Sequence, residues 1–252
     1  MVDRVATLWV GSKLSYLERL CLKSFADVDQ KPIFYHYGEV ADIPDFVEVR
    51  DAREIYDPGE IIRDPITRSS AVHADLFRLK LLHLTDYIWV DADAYALKPF
   101  EAPDGYLFAQ GFKKSGRVAN GVVSLPKDSV ALTEMLKFAF DSDLIPPWWS
   151  EEQKDAYLAL YGKATVWSLP IFSFGPPLWY HYLIKTGEAK RATPRLELYA
   201  IPLRFRNYWD DPDISKLDFL EWQSKTSIHF YGSWFRKIMS GKRAFHTRSL
   251  ID

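Results

Sequence analysis

Four consecutive apolar residues, Tyr87-Ile88-Trp89-Val90, run without a spacer into Asp91-Ala92-Asp93. A strand that is apolar on both faces belongs inside a sheet covered on both sides, which restricts the architectures open to the chain. The stretch before it, Val72 to Leu84, is rich in leucine, is closed by Thr85-Asp86, and predicts a helix. The opening of the chain carries the same alternation. Arg4–Val10 is an apolar run ended by the breaker pair Gly11-Ser12. Ser15-Tyr16-Leu17-Glu18 matches a capping box, in which Glu18 reaches back to the Ser15 amide. Leu17, Leu20, Cys21 and Phe25 follow at helical spacing, and Ile33–Tyr37 and Phe46–Val49 read as further strands. Strand, helix, strand predicts an α/β fold with a mixed, mainly parallel central sheet flanked by helices.

The rest of the chain is less periodic. Residues 50–70 are polar and contain Pro58, Gly59 and Pro65, so they read as loop with short helical turns. Strands are expected at Gly105–Ala109 and Val118–Leu125, and a helix from Asp128 to Phe140. Residues 141–226 are rich in Pro and Trp; helices are expected near 151–161 and 177–186, with irregular structure between. A late strand, Ser227–Tyr231, leads into Gly232-Ser233-Trp234 and a basic tail.

Composition excludes several classes. The 252 residues suit one large domain, or one domain with an elaborated half. With 48% hydrophobic and 26% charged residues the chain is neither disordered nor fibrous. A net charge of −2 argues against a protein that binds nucleic acid by neutralising phosphates. The single cysteine, Cys21, rules out an internal disulfide and a cysteine-based zinc site, and fits a reducing compartment. No apolar run approaches the roughly 18 residues of a membrane span, and the first residues lack the apolar core of a signal peptide. The expectation is a cytoplasmic protein. Its basic tail (Lys237, Lys242, Arg243, Arg248) either docks peripherally on the inner face of an anionic membrane or is simply solvated. The 9 Trp, 14 Tyr and 16 Phe serve either a large aromatic core or surfaces that stack on rings and sugars.

Two acids with one spacer, directly after an apolar strand, sit at a carboxyl edge of the sheet, where open α/β sheets bind ligands. Hard oxygen ligands there suit Mg²⁺ or Mn²⁺, with coordination positions left for substrate phosphates. Alone, D-x-D is equally a polar strand end. Asp75 and Arg78 share a face of the preceding helix, which can look into the same cleft. They could bind sugar hydroxyls or phosphate, or form a solvated ion pair within the helix.

The segment DLFRLKLLHLTDYIWVDADAYALKPF resembles the sugar-binding, D-x-D-containing region of GT-A glycosyltransferases, of the kind related to yeast mannosyltransferases and to the glucosyltransferase domains of large clostridial toxins. Asp75 lies 16 residues before Asp91, as in that pattern. TLWVGSKLSYLERLCLKSF is similar to the family's first strand, turn and helix; Asn120-Gly121-Val122-Val123 resembles its N-G-hydrophobic strand; and His229-Phe230-Tyr231-Gly232-Ser233-Trp234 resembles its late H-x-x-G-S-W element. The likeness covers about 5–125 and 227–236. Two departures stand out: Thr85-Asp86 where the family often has Gly-Gly, and Ala74 where a Ser commonly precedes the first Asp.

The resemblance implies a single GT-A type, Rossmann-like domain, with residues 1–125 holding a nucleotide-sugar and 126–252 an acceptor half that closes back onto the metal site. It implies a metal-dependent transfer of a hexose, from a UDP-sugar by preference, to a glycan or lipid-linked hydroxyl with retention of configuration. Asp91, Asp93 and His229 would hold the cation, Mn²⁺ by preference or Mg²⁺. Asp75, Arg78 and Asp93 would be the catalytic set. Trp9, Val10, Tyr37, Asp75, Arg78, Asp91, Asn120, Ser233 and Trp234 would contact the donor. Each has a plainer reading: Trp9 as core, Asn120 as a turn residue, His229 as a structural histidine, and Trp148, Trp149, Trp179 and Trp209 as core rather than acceptor platform. Two other functions compete. A haloacid-dehalogenase-type phosphatase also places D-x-D after an apolar strand, with Asp210-Asp211 as a distal pair, but its motif opens the domain and Tyr95 stands where it has Thr or Val. A non-catalytic sugar-nucleotide or glycan binder on the same fold is the other.

Overall fold

The strand Ile88–Val90 is buried throughout, with 0%, 2% and 1% of its residues' surfaces exposed. The computed structural model, which describes residues 4–111, 116–201 and 224–240, puts it inside a six-stranded sheet. In chain order the strands are β1 (Val5–Trp9), β2 (Ile33–His36), β3 (Glu48–Asp51), β4 (Ile88–Val90), β5 (Ala94–Ala96), β6 (Leu107–Phe108), β7 (Val122–Ser124) and β8 (Ser227–His229). The large sheet runs β3-β2-β1-β4-β7-β6, and β5 and β8 form a separate pair. β3, β2, β1 and β4 are mutually parallel, while β7 is antiparallel to both β4 and β6. The expected α/β fold with a mixed, mainly parallel sheet is therefore what the chain adopts.

Strand alternation feeds two cores. Ala6, Leu8, Ile33, Tyr35, Trp89, Phe108 and Val123 join one cluster with α2 (Ala71–Leu84), α3 (Val130–Ala139) and α5 (Pro176–Lys185). On the other face Val5, Ile88, Val90, Leu107 and Val122 pack with Phe25 of α1 (Tyr16–Asp27), and Phe34 packs with Leu14, Leu22 and Val47. Each large side chain fully buried this way contributes roughly 2 kcal/mol. α1 also turns Leu17 and Cys21 toward Phe230 and Phe235, the latter on α7 (Gly232–Ser240). Between lie α4 (Glu151–Tyr161), which buries no residue, and the short α6 (Arg195–Leu198).

The capping box at the start of α1 is present, and the Glu18 carboxylate accepts from the Ser15 amide at 2.8 Å. Several boundaries differ from expectation. β3 begins at Glu48 rather than Phe46, because the Val47 amide turns back to the Pro44 carbonyl (3.3 Å) and the sheet edge tolerates the polar residues that follow. The expected strands 105–109 and 118–125 shrink to Leu107–Phe108 and Val122–Ser124; Pro103–Gly105 is a 3₁₀ turn, and Asn120-Gly121 serves the site described below. The late strand stops at His229 because Tyr231 adopts a left-handed backbone (φ 55°). β5 has no counterpart in the sequence reading. No helix among the described residues is long and apolar enough to cross a membrane.

His73 of α2 is fully buried, its Nδ1 accepting from the Ile62 amide at 3.3 Å and its ring against Tyr37 and Tyr56. Burial, helped by the charge of Arg63, lowers its pKa from 6.5 to about 4. The folded chain thus binds fewer protons at this site than the unfolded chain, and stability is lost as pH falls from about 6.5 toward 4, with a slope of up to about 1.4 kcal/mol per pH unit. Urea denaturation at pH 7 and pH 5 should show that loss in the native chain and a smaller one in His73→Leu, which cannot titrate.

Candidate functional site

The chain lays down β1, β2 and β3 in one direction across the sheet, then returns through α2 to place β4 on the other side of β1. The carboxyl ends of β1 and β4 therefore flank a topological switch point, where such sheets leave a crevice. A cleft of about 390 Å³ opens there. Its walls are Leu8, Trp9 and Val10 at the end of β1; Trp89, Asp91, Ala92 and Asp93 at the end of β4; Arg63, Arg68, Ser69, Ser70 and Ala74 leading into α2; and Glu18 with Arg236.

Each acid of the D-x-D pair commits one oxygen to the protein and leaves the other facing His229. Asp91 Oδ1 accepts from Arg78 Nη2 and from Trp89 Nε1, both at 2.8 Å. Asp93 Oδ2 accepts from the Gly232 amide at 2.5 Å. The remaining oxygens, Asp91 Oδ2 and Asp93 Oδ1, stand 3.4 and 3.3 Å from His229 Nε2. One ligand atom from each of the three residues lies within 4.8 Å of the others. His229 Nδ1 accepts from the Tyr231 amide at 3.2 Å, so in this geometry the neutral ring carries its proton on Nε2, toward the acids.

Backbone register delivers His229 from the far end of the chain. β5 follows Asp93 directly and pairs antiparallel with β8, setting Ala94 opposite His229, and the Phe230 amide donates to the Asp93 carbonyl at 3.0 Å. Gly121 passes beneath the cluster. A Cβ on it would stand 2.6 Å from His229 Nε2 and 2.7 Å from Asp91 Oδ2, so only glycine clears the ligand atoms. Tyr199, buried beside the His229 ring (centroids 5.4 Å), holds that strand: its hydroxyl oxygen accepts from the Gly121 and Val122 amides, both at 3.1 Å.

Behind Asp91 lies a buried charge network. Arg78, 4% exposed, donates to Asp75 Oδ1 at 2.5 Å as well as to Asp91, and its guanidinium lies over the Trp89 ring at 4.7 Å. Asn120 Nδ2 also donates to Asp75 Oδ1, at 3.0 Å. Burial pushes the Asp75 carboxyl up to about 6, against the pull of Arg78. Burial acts on Asp91 too, but the Arg78 guanidinium, His229 and Trp89 outweigh it and hold the carboxyl down at about 2. For His229, burial works against the charged form, yet the two carboxylates prevail and raise its pKa.

These positions sort the residues expected from the sequence. Asp91, Asp93 and His229 converge, and Trp9 and Val10 line the cleft. Trp9 is half-buried and packs on the Phe34 cluster, so it is wall and core at once. Asp75, Arg78 and Asn120 form a buried network beside the acids, which removes the reading of Asp75 and Arg78 as a solvated pair. Tyr37 does not line the cleft; its hydroxyl donates to the Tyr56 carbonyl at 2.7 Å and its ring packs on His73. Ser233 and Trp234 are exposed on the first turn of α7 and do not line it either. Trp179 is core, and Trp148 and Trp149 are half-buried against it. Trp209, Asp210-Asp211, Lys242, Arg243 and Arg248 lie outside the described residues, as does the side chain of Lys237. Sequence reasoning passed over Tyr199, Arg63, Arg68 and Arg236; the last pairs at 2.9 Å with Glu18, itself 1% exposed.

No family model and no curated protein matches the chain. Among solved structures it is similar to one described as "PaToxG Glycosyltransferase", at a TM-score of 0.49 and 14% identity, over 75% of this chain and 73% of that one. So distant a likeness decides nothing about chemistry, which rests on the side chains.

Replacing Tyr199 by Phe removes the acceptor of two buried amides. Tyr199→Phe should lower unfolding free energy by about 1–3 kcal/mol in chemical denaturation. A variant as stable as the parent would show that the amides do not depend on the hydroxyl.

Proposed function

We propose that the chain is a metal-dependent glycosyltransferase that moves a hexose from a nucleotide-diphospho-sugar, a UDP-sugar by preference, to a hydroxyl of a glycan or lipid-linked acceptor, with retention of anomeric configuration. The observation that carries this reading is the convergence of Asp91, Asp93 and His229 at a switch-point cleft. The donor set fits a divalent cation once His229 takes its other neutral tautomer, freeing Nε2 at the expense of the Tyr231 amide bond: two carboxylate oxygens and an imidazole nitrogen then suit Mn²⁺, and Mg²⁺ less well. Gly121 leaves the space the ligand atoms face into. When bound there, such a cation supplies Lewis acidity to the departing diphosphate.

The chain's own residues do the remainder. Arg78 fixes the Asp91 carboxylate by a bond and a charge, and Trp89 Nε1 fixes it from a second direction. Asp93, tied to Gly232, keeps the 230–232 segment against the site. Trp9 and Val10 offer an apolar wall for a nucleobase. Asp75, which does not itself line the cleft, holds Asn120 and Arg78 on one oxygen and so backs the Asp91 carboxylate that does; its contact with a donor hydroxyl is part of the proposal. The acceptor oxygen bonds to the anomeric carbon on the face that the diphosphate leaves, as the bond from that carbon to the diphosphate oxygen breaks and the hydroxyl proton passes to that departing oxygen, a step that rewards fixed orientation of both partners. Under this reading residues 1–125 hold the donor and the later residues supply the acceptor side and the returning His229. The phosphatase alternative draws no support from the fold: its acid pair belongs on the strand that opens the domain, and β1 ends in Trp9.

Asp93→Asn keeps an oxygen for the Gly232 amide while removing the charge. It should fold normally and lose donor hydrolysis and transfer by about a hundredfold or more. Unchanged turnover would overturn the metal role. Gly121→Ala, whose methyl meets both Nε2 and Oδ2, should abolish the rise in melting temperature that Mn²⁺ gives the native chain.

A further inference from the structure

The cleft holds two cations for which the site so far has no use. Arg63 and Arg68 line it together with Ser69, Ser70 and Ala74, on the stretch that leads into α2. The other charges of the cleft are internally matched. Asp91 is bonded to Arg78, Glu18 is paired with Arg236, and Asp93 bonds the Gly232 amide and faces His229. Among the described residues neither Arg63 nor Arg68 has a carboxylate within salt-bridge distance. Arg63 Nη1 reaches the Arg68 carbonyl at 3.4 Å, which binds the two ends of the turn without neutralising either charge. Two guanidinium groups that line one cleft without a carboxylate partner favour an anion there.

The turn that carries them is built. Asp64 Oδ1 accepts from the Ile66 and Thr67 amides (3.2 and 2.6 Å) and from the Thr67 hydroxyl (2.7 Å), while the Asp64 amide donates to the Ser69 carbonyl at 2.8 Å. Arg68 is held at φ 59°, a left-handed backbone uncommon for a residue other than glycine, and its amide donates to the Asp64 carbonyl at 2.9 Å. Ser70, the N-cap of the fourteen-residue α2, makes no capping bond with its side chain and also lines the cleft.

We propose that Arg63 and Arg68 bind the phosphates of the donor in the cleft they share with the acid cluster. This rests on the reading of the cleft as a nucleotide-sugar site and assigns that site residues of its own. A guanidinium offers two parallel N–H groups to a phosphate, which makes the contact directional as well as electrostatic.

The test measures binding of UDP, inorganic pyrophosphate and uridine, each with Mn²⁺, to the full chain and to Arg63→Gln and Arg68→Asn. Asparagine accepts a left-handed backbone, so the turn survives, and unchanged melting temperatures without ligand confirm it. Each variant should bind UDP and pyrophosphate about tenfold or more weakly, the loss expected for a charge-assisted contact, with a shallower dependence on salt and unaltered uridine binding. Variants that bind UDP and pyrophosphate as the native chain does would overturn the assignment, whether activity is unchanged or the acceptor KM alone rises. Should the native chain itself bind neither UDP nor pyrophosphate, the glycosyltransferase reading falls, and this inference with it.

Discussion

A guanidinium taken out of water is costly unless its charge and its N–H groups are met within the protein. Arg78 has its charge and both terminal nitrogens met by three groups at once, the Asp75 carboxylate, the Asp91 carboxylate and the face of Trp89, and leaves only its buried Nε without a partner. The consequence spreads outward. Asp75 and Arg78 belong to α2, Asp91 and Trp89 to β4 and its end, so the pairing locks the helix onto the central strand at the place where the strand stops. One oxygen of Asp91 is consumed in the lock, which aims the other at His229. Burial and the bonds each acid receives set the two neighbouring carboxyls apart. Asp75 is pushed up to about 6 by its burial while Asp91 is held at about 2, so the two acids that share Arg78 do not compete for the same proton.

Much of this frame is legible in the residues themselves. A strand with no polar position, Ile88–Val90, can only lie between neighbours, and acids immediately after it can only lie at the sheet's edge. The capping box of Ser15 and Glu18 is a local arrangement that depends on four residues and nothing else. What stayed hidden depends on contacts distant in sequence. β5 is three residues long and apolar for reasons that exist only once β8 lies beside it. Tyr199 acts through a hydroxyl that meets amides more than seventy positions away, and no spacing announces that. Arg63 and Arg68 look like solvated loop residues until the turn at Asp64 places them on the cleft wall. Tyr37 misleads in the opposite sense: it follows the last residue of β2, next to the strand that carries Trp9, yet its hydroxyl donates to the Tyr56 carbonyl and its ring packs on His73.

Three glycines record how tightly the site is drawn together. Cβ atoms on Gly121, Gly175 and Gly232 would come within 2.6–3.1 Å of His229 Nε2, Asp91 Oδ2, Asp75 Oδ2 or Asp93 Oδ2. None of the three has the left-handed backbone for which glycine is usually chosen. They are small because a carboxylate or an imidazole occupies the place of the missing side chain. In a sequence such glycines pass for turns; in the fold they mark where main chain approaches charge.

His229, the third of the proposed ligands, shows why that closeness needs the whole chain. His229 reaches the acids because β8 pairs with β5 in one register, Ala94 opposite His229. A slip of one residue would turn the imidazole to the other face of the two-stranded ribbon. Two bonds oppose the slip, from the Phe230 amide to the Asp93 carbonyl and from the Gly232 amide to the Asp93 carboxylate. Tyr231, between them, takes up the left-handed turn that lets both form while its own amide returns to His229 Nδ1. Asp93 is thus both a proposed ligand and the anchor for the segment that brings the other ligand in. That dual role explains why a two-stranded ribbon too short to be stable alone persists at this edge.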